Sequence, residues 1–467
     1  MVVTRFAPSP TGYLHIGGLR TALFSYLWAR KNNGKFFLRI EDTDLARNSK
    51  EAADAILEAF KWVGLSHDGE IIYQSQRFDL YKKYVAKLLD EEKAYYCYMS
   101  KEELDALREN QIANKQKPMY DNRWRDSKET PPAGVSPVVR IKTPLEGKVL
   151  IPDGVKGNVE FSWSEIDDFI IARGDGTPTY NFVVAIDDAL MGVNYVIRGD
   201  DHLSNTPKQI AVYNALGFSV PNFFHVPMIH NEEGKKLSKR DGAMDVMEYQ
   251  RNGYIPQALL NFLVRLGWSN KDQEIFSFGE MLELFDPNNI NKSASAYNAK
   301  KLDWLNSHYI KNTKNDELAK LLNDFSVEIH GHDKKEMLLD NAKERVNTLK
   351  ELADAINFII VPPLSYNEKD VSTVNEETLS ILNDFVSFIE DKQELHLPSD
   401  FQEAVNDFLR EKNIKMPLLG KPIRIALFGS GTGPNVADVL AILGAKETKN
   451  RVENFINYIK NKKEQTI

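Results

Sequence analysis

Val2-Val3-Thr4-Arg5-Phe6-Ala7-Pro8-Ser9-Pro10-Thr11-Gly12-Tyr13-Leu14-His15-Ile16-Gly17-Gly18 is the stretch whose reading decides the fold. Val2 to Phe6, rich in β-branched and aromatic residues, reads as a short strand. A Pro/Gly turn follows, then an apolar helix from about Gly18 to Arg30. Lys35 to Ile40 (KFFLRI) reads as a second strand and runs into Glu41-Asp42-Thr43-Asp44. Strand, glycine turn, helix and strand in that order predict a parallel βαβ unit. Small residues at the start of a helix let an anion approach its backbone N–H groups, so Gly17 and Gly18 mark a phosphate site. Gly12 gives the preceding turn its freedom. His15 can set an imidazole against phosphate oxygens as charge redistributes in a transition state.

Working outward, Ser49 to Val63 reads as a helix with Ala53, Ile56, Leu57 and Phe60 on one face. Between about Arg77 and Arg173 the character changes to charged helices (Lys101 to Lys115), prolines (Pro131, Pro132, Pro137) and β-like pieces such as Val138 to Ile141. This stretch reads as an insertion. The α/β pattern resumes at Thr179. Tyr180-Asn181-Phe182-Val183-Val184 and Tyr195-Val196-Ile197-Arg198 are expected as strands, and Asn205 to Leu216 as a helix. A strand over Phe223 to Met228 and a turn at Asn231 to Gly234 lead into Lys235-Lys236-Leu237-Ser238-Lys239-Arg240. A loop carrying two lysines can close over a triphosphate and offset charge on the transferring phosphoryl group. Beyond about residue 310 the pattern is helical, with amphipathic spacing in Asp316 to Leu322, Arg345 to Phe358 and Thr378 to Phe388. Pro362-Pro363 and Leu397-Pro398 separate the helical blocks.

At 467 residues the chain needs several cores, roughly two to four domains. Hydrophobic content of 42% with 27% charged residues is that of an ordinary globular protein. There is no apolar run of membrane-spanning length and no expected signal peptide. The single cysteine, Cys97, excludes an intramolecular disulfide and fits a reducing cytoplasm. A net charge of −8 weighs against general nucleic-acid affinity. The local field decides, however, and Lys235 to Arg240 and the set Lys412, Lys415, Lys421 and Arg424 are basic exceptions.

The stretch Pro8 to Gly18 and the later Lys-Leu-Ser-Lys-Arg, in this order, resemble the two signature motifs of class I aminoacyl-tRNA synthetases, and the surrounding residues resemble the glutamyl branch. The resemblance extends through Arg39-Ile40-Glu41-Asp42-Thr43-Asp44, Tyr73-Gln74-Ser75, Pro178-Thr179-Tyr180-Asn181 and Val196-Ile197-Arg198. Gly18 stands where the full first motif has a second histidine, a departure usual in this group. The implied fold is α/β. It comprises a Rossmann-type catalytic domain with an α+β insertion, followed by an all-α anticodon-binding half. The implied segments are 1–76 and 179–240 for the two catalytic halves and 77–178 for an insertion facing the tRNA acceptor end. Residues 241–310 would contact the stem, and 311–467 would form the helical region, in two parts meeting near 365.

The implied activity is ATP-dependent activation of L-glutamate to glutamyl-adenylate, with Mg2+, and transfer to the 3′-terminal adenosine of tRNA(Glu). In this branch tRNA is generally required for the first step. Pro8, Ser9, Pro10, Thr11, Gly12, Tyr13, Leu14, His15, Ile16, Gly17 and Gly18, with Lys236, Leu237, Ser238, Lys239 and Arg240, would contact ATP. His15, Lys236 and Lys239 would stabilise phosphoryl charge, Lys239 being the main lysine contact. Arg5, Ser9, Glu41, Tyr180, Asn181 and Arg198 would bind glutamate, with Arg5 on its side-chain carboxylate. Arginine suits that role because it grips carboxylate in a bidentate fork. Relatives often carry a zinc knuckle in the insertion. Here the corresponding positions read Cys97-Tyr98-Met99-Ser100, Tyr120-Asp121 and Trp124. One thiolate and one tyrosine cannot close a tetrahedral site, so no zinc is expected, with Met99 and Trp124 packed there instead. Arg345, Lys421 and Arg424 are implied tRNA contacts. The resemblance implies a monomer and a cytoplasmic enzyme, and leaves open whether tRNA(Gln) is charged as well. Glutaminyl-tRNA synthetase, whose corresponding half is built of β-barrels, is the less favoured alternative.

Overall fold

The computed structural model describes residues 1–44, 47–237 and 245–464. The described chain divides into two compact units, one of residues 1–251 and 256–305, the other of 252–255 and 306–467. The first holds the parallel strands. Strand β1 (Val3–Phe6) leads into helix α1 (Ile16–Lys31) and then β2 (Lys35–Ile40). β1 and β2 pair in parallel, Val3 with Lys35 through Phe6 with Leu38. Leu19, Ala22, Leu23, Phe24 and Leu27 of α1 are fully buried. That helix is therefore central to the unit, and its first turn is held at the ends of the strands. Helix α2 (Lys50–Val63) is capped by Ser49, whose hydroxyl accepts from the Ala52 N–H, and it ends at left-handed Gly64. Strand β3 (Ile72–Tyr73) extends the sheet in parallel beside β2.

The segment read as an insertion carries helix α3 (Phe78–Asp90), strand β4 (Ala94–Cys97), helix α4 (Lys101–Ala113) and strand β5 (Val138–Ile141). The hairpin β6 (Lys148–Asp153) and β7 (Gly157–Ser162) follows, then strand β8 (Ile170–Ala172). β4, β5 and β8 make an antiparallel sheet. Its apolar face shares one core with the parallel part: Ile141, Ile151 and Ile171 pack in the same cluster as Val3, Val183 and Val196.

Helix α5 (Tyr180–Leu190) precedes strand β9 (Tyr195–Gly199), helix α6 (Thr206–Leu216) and strand β10 (Asn222–Val226). Tyr180 to Val184, expected as a strand, is the first half of α5. Phe182 to Asp188 are buried on every side, so burial follows no helical period there, and a short β-branched apolar run is indistinguishable from a buried strand by pattern alone. β9 and β10 pair in parallel. Asn194 joins the two parallel pairs: its N–H donates to the Val3 carbonyl at 3.1 Å and its side chain accepts the Val3 N–H at 2.8 Å.

The second unit is helical, with the principal helices Asn315–Leu321, Lys335–Ala342, Leu349–Ile360, Glu376–Glu390, Pro398–Glu411, Met416–Phe428 and Val436–Glu464, the last broken at Gly444. One apolar cluster gathers Ile310, Leu322, Leu339 and Leu352, and another gathers Phe385, Phe401, Leu427 and Phe455. The helix expected from Arg345 begins at Leu349 instead. Thr348 caps it by accepting the Glu351 N–H, and Arg345 falls in a short 3-10 turn before that cap.

Gly154 sits where the β6–β7 hairpin meets β10. Its N–H donates to the Phe223 carbonyl at 2.9 Å, and an added Cβ would lie 2.0 Å from the Phe224 ring. Gly154→Ala is therefore expected to destabilise the first unit by about 1–3 kcal/mol through overpacking, read as a lower urea midpoint.

Candidate active site

The turn after β1 is held by its own backbone: the Thr11 N–H donates to the Ser9 carbonyl at 2.9 Å, and the Glu41 N–H to the Pro8 carbonyl at 2.9 Å. Helix α1 starts two residues earlier than its glycines suggest, because His15 caps it. Nδ1 of His15 accepts the Gly18 N–H at 3.2 Å, so in the neutral ring the proton resides on Nε2, turned away from the helix. The ring lies over Gly17, where an added Cβ would stand 3.1 Å from it. His15 faces an open cavity, yet the walls around it desolvate the ring. That desolvation, with the nearby Lys236 charge, lowers its pKa below 6.5 against the opposing pull of Asp201.

The cavity holds about 1150 Å³, and its lining includes Ser9, Gly12, Tyr13, His15, Gly17 and Gly18 of the first motif together with Arg5, Glu41, Tyr180, Arg198 and His202. Lys236 and Leu237 line it as well, held by the bridge between His230 and Lys236 and by the Leu237 N–H on the Ile229 carbonyl. Ser238, Lys239 and Arg240 lie outside the described residues. A helix N-terminus, a neutral imidazole N–H and a lysine thus converge on one opening, a suitable cradle for an anionic phosphate chain.

Around Arg5 and Glu41, charge is arranged in a buried group. Arg5 donates to Asp188 through Nε (3.1 Å) and Nη2 (3.3 Å). Arg39 donates to Asp188 at 2.6 Å and to Glu41 at 3.0 Å. Two arginines and two carboxylates, all nearly buried, therefore cancel. Burial lifts the Glu41 pKa above its ordinary value, although Arg39 and Arg5 oppose the rise. Arg198 differs. Its Nε donates to Nε2 of His225 (3.2 Å), Nη1 to Oε1 of Gln209 (2.8 Å) and Nη2 to Oγ1 of Thr206 (2.8 Å). All three acceptors are formally neutral side chains, and among the described residues no carboxylate pairs with it. Burial lowers its pKa, and its charge is left for a ligand.

Tyr180 stands on the wall, its hydroxyl 3.1 Å from Nδ1 of His202. Asn181 stands behind the wall, accepting from Gln209 at 3.1 Å, so it reaches Arg198 only through Gln209. Sequence reasoning missed Asp188, Gln209, Thr206, His225 and His202, which lie apart along the chain and meet only in the fold. It also missed Arg20, a buried cavity-lining residue that donates to the carbonyls of Pro227 and Leu266 and whose pKa burial brings down to about 10.

Elsewhere, Cys97 and Tyr120 are buried together with Met99 and Trp124 against them. The Trp124 N–H donates to the Tyr120 hydroxyl at 2.8 Å. With one cysteine in the chain and that cysteine in an apolar cluster, the donor set does not fit zinc. In the second unit Arg345 is exposed and, among the described residues, has no ion pair. Lys421 pairs with Asp370 at 3.2 Å, and Arg424 donates to the carbonyls of Pro434 and Gly420.

A family model described as tRNA synthetases class I (E and Q), catalytic domain, matches residues 1–304, and one described as an anticodon binding domain matches residues 299–456. The chain belongs to the class I tRNA synthetases of the E and Q group. A curated relative named glutamate–tRNA ligase 1, from Sulfurimonas denitrificans, is 63% identical over 98% of this chain and 100% of its own length. Glutamate–tRNA ligase 2 of Nitratiruptor sp. is 65% identical over 98% of this chain and 99% of its own. Among solved structures, a glutamate tRNA ligase from Elizabethkingia meningosepticum in complex with its amino acid is 32% identical. It aligns with a TM-score of 0.86 over 98% of this chain and 99% of that one. A class I catalytic domain followed by a helical anticodon domain is the architecture that the sequence implied.

Burial sets the pKa values of His202 and His225, like that of His15, below 6.5. The unfolded chain then binds more protons than the folded one below about pH 6.5, so stability rises with pH through that range and is lost as pH falls. The urea midpoint is expected to be lower at about pH 5.5 than at about pH 7.5, with the difference reduced in His225→Gln, where one of the three groups no longer titrates.

Proposed function

We propose that the chain activates L-glutamate with ATP to give glutamyl-adenylate and pyrophosphate, and transfers the glutamyl group to the 3′-terminal adenosine of tRNA(Glu). The observation that carries the reading is Arg198, a buried guanidinium without a carboxylate partner among the described residues, opening on the same cavity as the His15 helix N-terminus. The names of the curated relatives, at 63% and 65% identity, support the same choice of amino acid.

The cavity orders the chemistry. His15 Nε2–H, the first N–H groups of α1 and Lys236 meet the triphosphate, with Pro8 to Gly18 forming its floor. Lys239, with Ser238 and Arg240, would contact the same phosphates. Mg2+ would enter on the phosphates of ATP, since this ion keeps much of its coordination for phosphate and water and needs no protein cage. Glutamate lies toward Arg198. The uncompensated charge of Arg198 takes a substrate carboxylate, and Arg5 adds the N–H groups that Asp188 leaves free. Glu41 faces the ammonium, with Tyr180 and Ser9 completing the wall and Asn181 acting through Gln209. The α-carboxylate of glutamate then attacks the α-phosphorus, and the charge that passes to pyrophosphate is stabilised by His15 and the lysines. The tRNA hydroxyl displaces AMP in the second step. Glutamine keeps the α-carboxylate but offers no side-chain anion, so where Arg5 and Arg198 together meet the side-chain carboxylate it would leave buried positive charge unpaired, which disfavours it without a separate editing site.

The segments 1–76 and 179–240 act as the two catalytic halves, 77–178 meets the acceptor end, 241–310 meets the stem, and 311–467 reads the anticodon. Exposed Arg345 is the leading anticodon-side contact, ahead of Lys421 and Arg424, whose groups are already engaged. The enzyme works as a cytoplasmic monomer in protein synthesis.

ATP–pyrophosphate exchange with tRNA present tests the reading. Exchange with glutamate and none with glutamine is expected, and exchange with glutamine alone would replace it. Charging of purified tRNA(Gln) beside tRNA(Glu) decides the range of RNA substrates. Arg198→Gln should raise the KM for glutamate about 10- to 100-fold by removing a charge-assisted contact, with the KM for ATP little changed. His15→Ala should lower the exchange rate about 100-fold or more, with the KM for glutamate little changed.

A further inference from the structure

We infer that Asp153 and His225 form a positioning pair that fixes how Arg198 presents its charge to the substrate carboxylate. The inference rests on the reading of the cavity as a glutamate site. Asp153 ends strand β6 in the insertion, and His225 lies in β10. Neither lines the cavity, and the side chains of both are fully buried.

The hydrogen bonds leave little freedom. Oδ1 of Asp153 accepts the N–H groups of Val155 (2.9 Å) and Lys156 (2.8 Å), the turn of the hairpin. Oδ2 accepts Nδ1–H of His225 at 2.6 Å and its backbone N–H at 3.1 Å. A carboxylate only accepts, so Nδ1 must carry the ring proton, and in a neutral ring Nε2 is then an acceptor. Nε2 takes Nε–H of Arg198 at 3.2 Å and lies 2.9 Å from the Thr206 hydroxyl, which itself accepts from Nη2 of Arg198. His225 and Thr206 therefore grip one edge of the guanidinium, and Gln209 takes Nη1. Of the five N–H donors of an arginine, three are held, which leaves two for a ligand at a fixed angle.

The choice of acceptors also matters. A carboxylate in the place of His225 would hold the arginine equally well but neutralise it. A neutral imidazole orients the group and leaves its charge intact. The arrangement holds only while His225 stays neutral, because a protonated ring would turn Nε2–H against Nε–H of Arg198. Burial, with the Arg198 charge, lowers the His225 pKa even though Asp153 pulls the other way.

Asp153→Asn is the discriminating variant. The N–H groups of Val155 and Lys156 keep the amide oxygen on their side, so the amide NH2 faces His225. Nδ1 must then accept, the proton moves to Nε2, and two donors meet at Arg198. The expected result is a KM for glutamate raised about tenfold or more, with the KM for ATP changed less than about twofold. ¹⁵N-resolved histidine spectra should show the His225 proton on Nδ1 in the parent and on Nε2 in the variant. His225→Gln can offer an amide oxygen to Arg198 and an NH2 to Asp153, whereas His225→Phe offers neither. The rise in KM should be at least about fivefold smaller in the glutamine variant than in the phenylalanine variant. An unchanged KM for glutamate in Asp153→Asn, or a glutamine variant as impaired as the phenylalanine one, overturns the inference. If the parent enzyme itself shows no glutamate-dependent exchange, the functional reading fails, and the proton position in the spectra still tests the pair.

Discussion

Asp188 is the constraint on which the rest of the site depends. It lies on α5, beyond the insertion, and its two oxygens are shared by Arg5 from β1 and Arg39 from β2. Two parallel strands near the start of the chain are thereby fixed to a helix far along it. Arg39 in turn holds Glu41 at the end of β2. Removing one partner of a buried ion pair costs about 3–5 kcal/mol, because it strands a charge. The network is worth more as a specification of geometry than as net stability, since apolar residues of similar volume could bind the elements about as well.

Charge cancellation in that network gives Arg198 its meaning. Arg5, Arg39, Asp188 and Glu41 compensate one another, while Arg198 is held by histidine, glutamine and threonine. Among the described residues the cavity therefore presents Arg198, a positive group with no carboxylate partner, together with a helix N-terminus and Lys236. Both suit anions, but of different kinds: a fork for a carboxylate, and a row of N–H groups for phosphates.

Most of the fold around β1 and β2 was legible in the sequence because its signals are local. The β1 and β2 strands, the glycine turn between them and the helix α2 follow from residues close together along the chain. Helix α5 was not legible, because Phe182 to Asp188 are buried on all sides and period carries the signal only where one face meets solvent. The start of the helix at Leu349 was signalled by Thr348 with Glu351 three residues on, a pattern that outweighs the apolar spacing running back toward Arg345. Arg5 and Arg198 were both legible as candidate carboxylate ligands. The difference between them was not, because it depends on whether Asp188 or His225 lies beside each guanidinium.

By itself the sequence determined the first strand–helix–strand unit, the two short motifs and the family, because these reside in short runs whose dihedral and hydrogen-bonding preferences are set by neighbouring residues. Only the tertiary structure decided which charges cancel, which arginine stays unpaired and which nitrogen of His15 or His225 carries a proton. Those outcomes depend on groups that the chain brings together from far apart, in a low-dielectric interior where one added or missing partner changes the charge that a ligand meets.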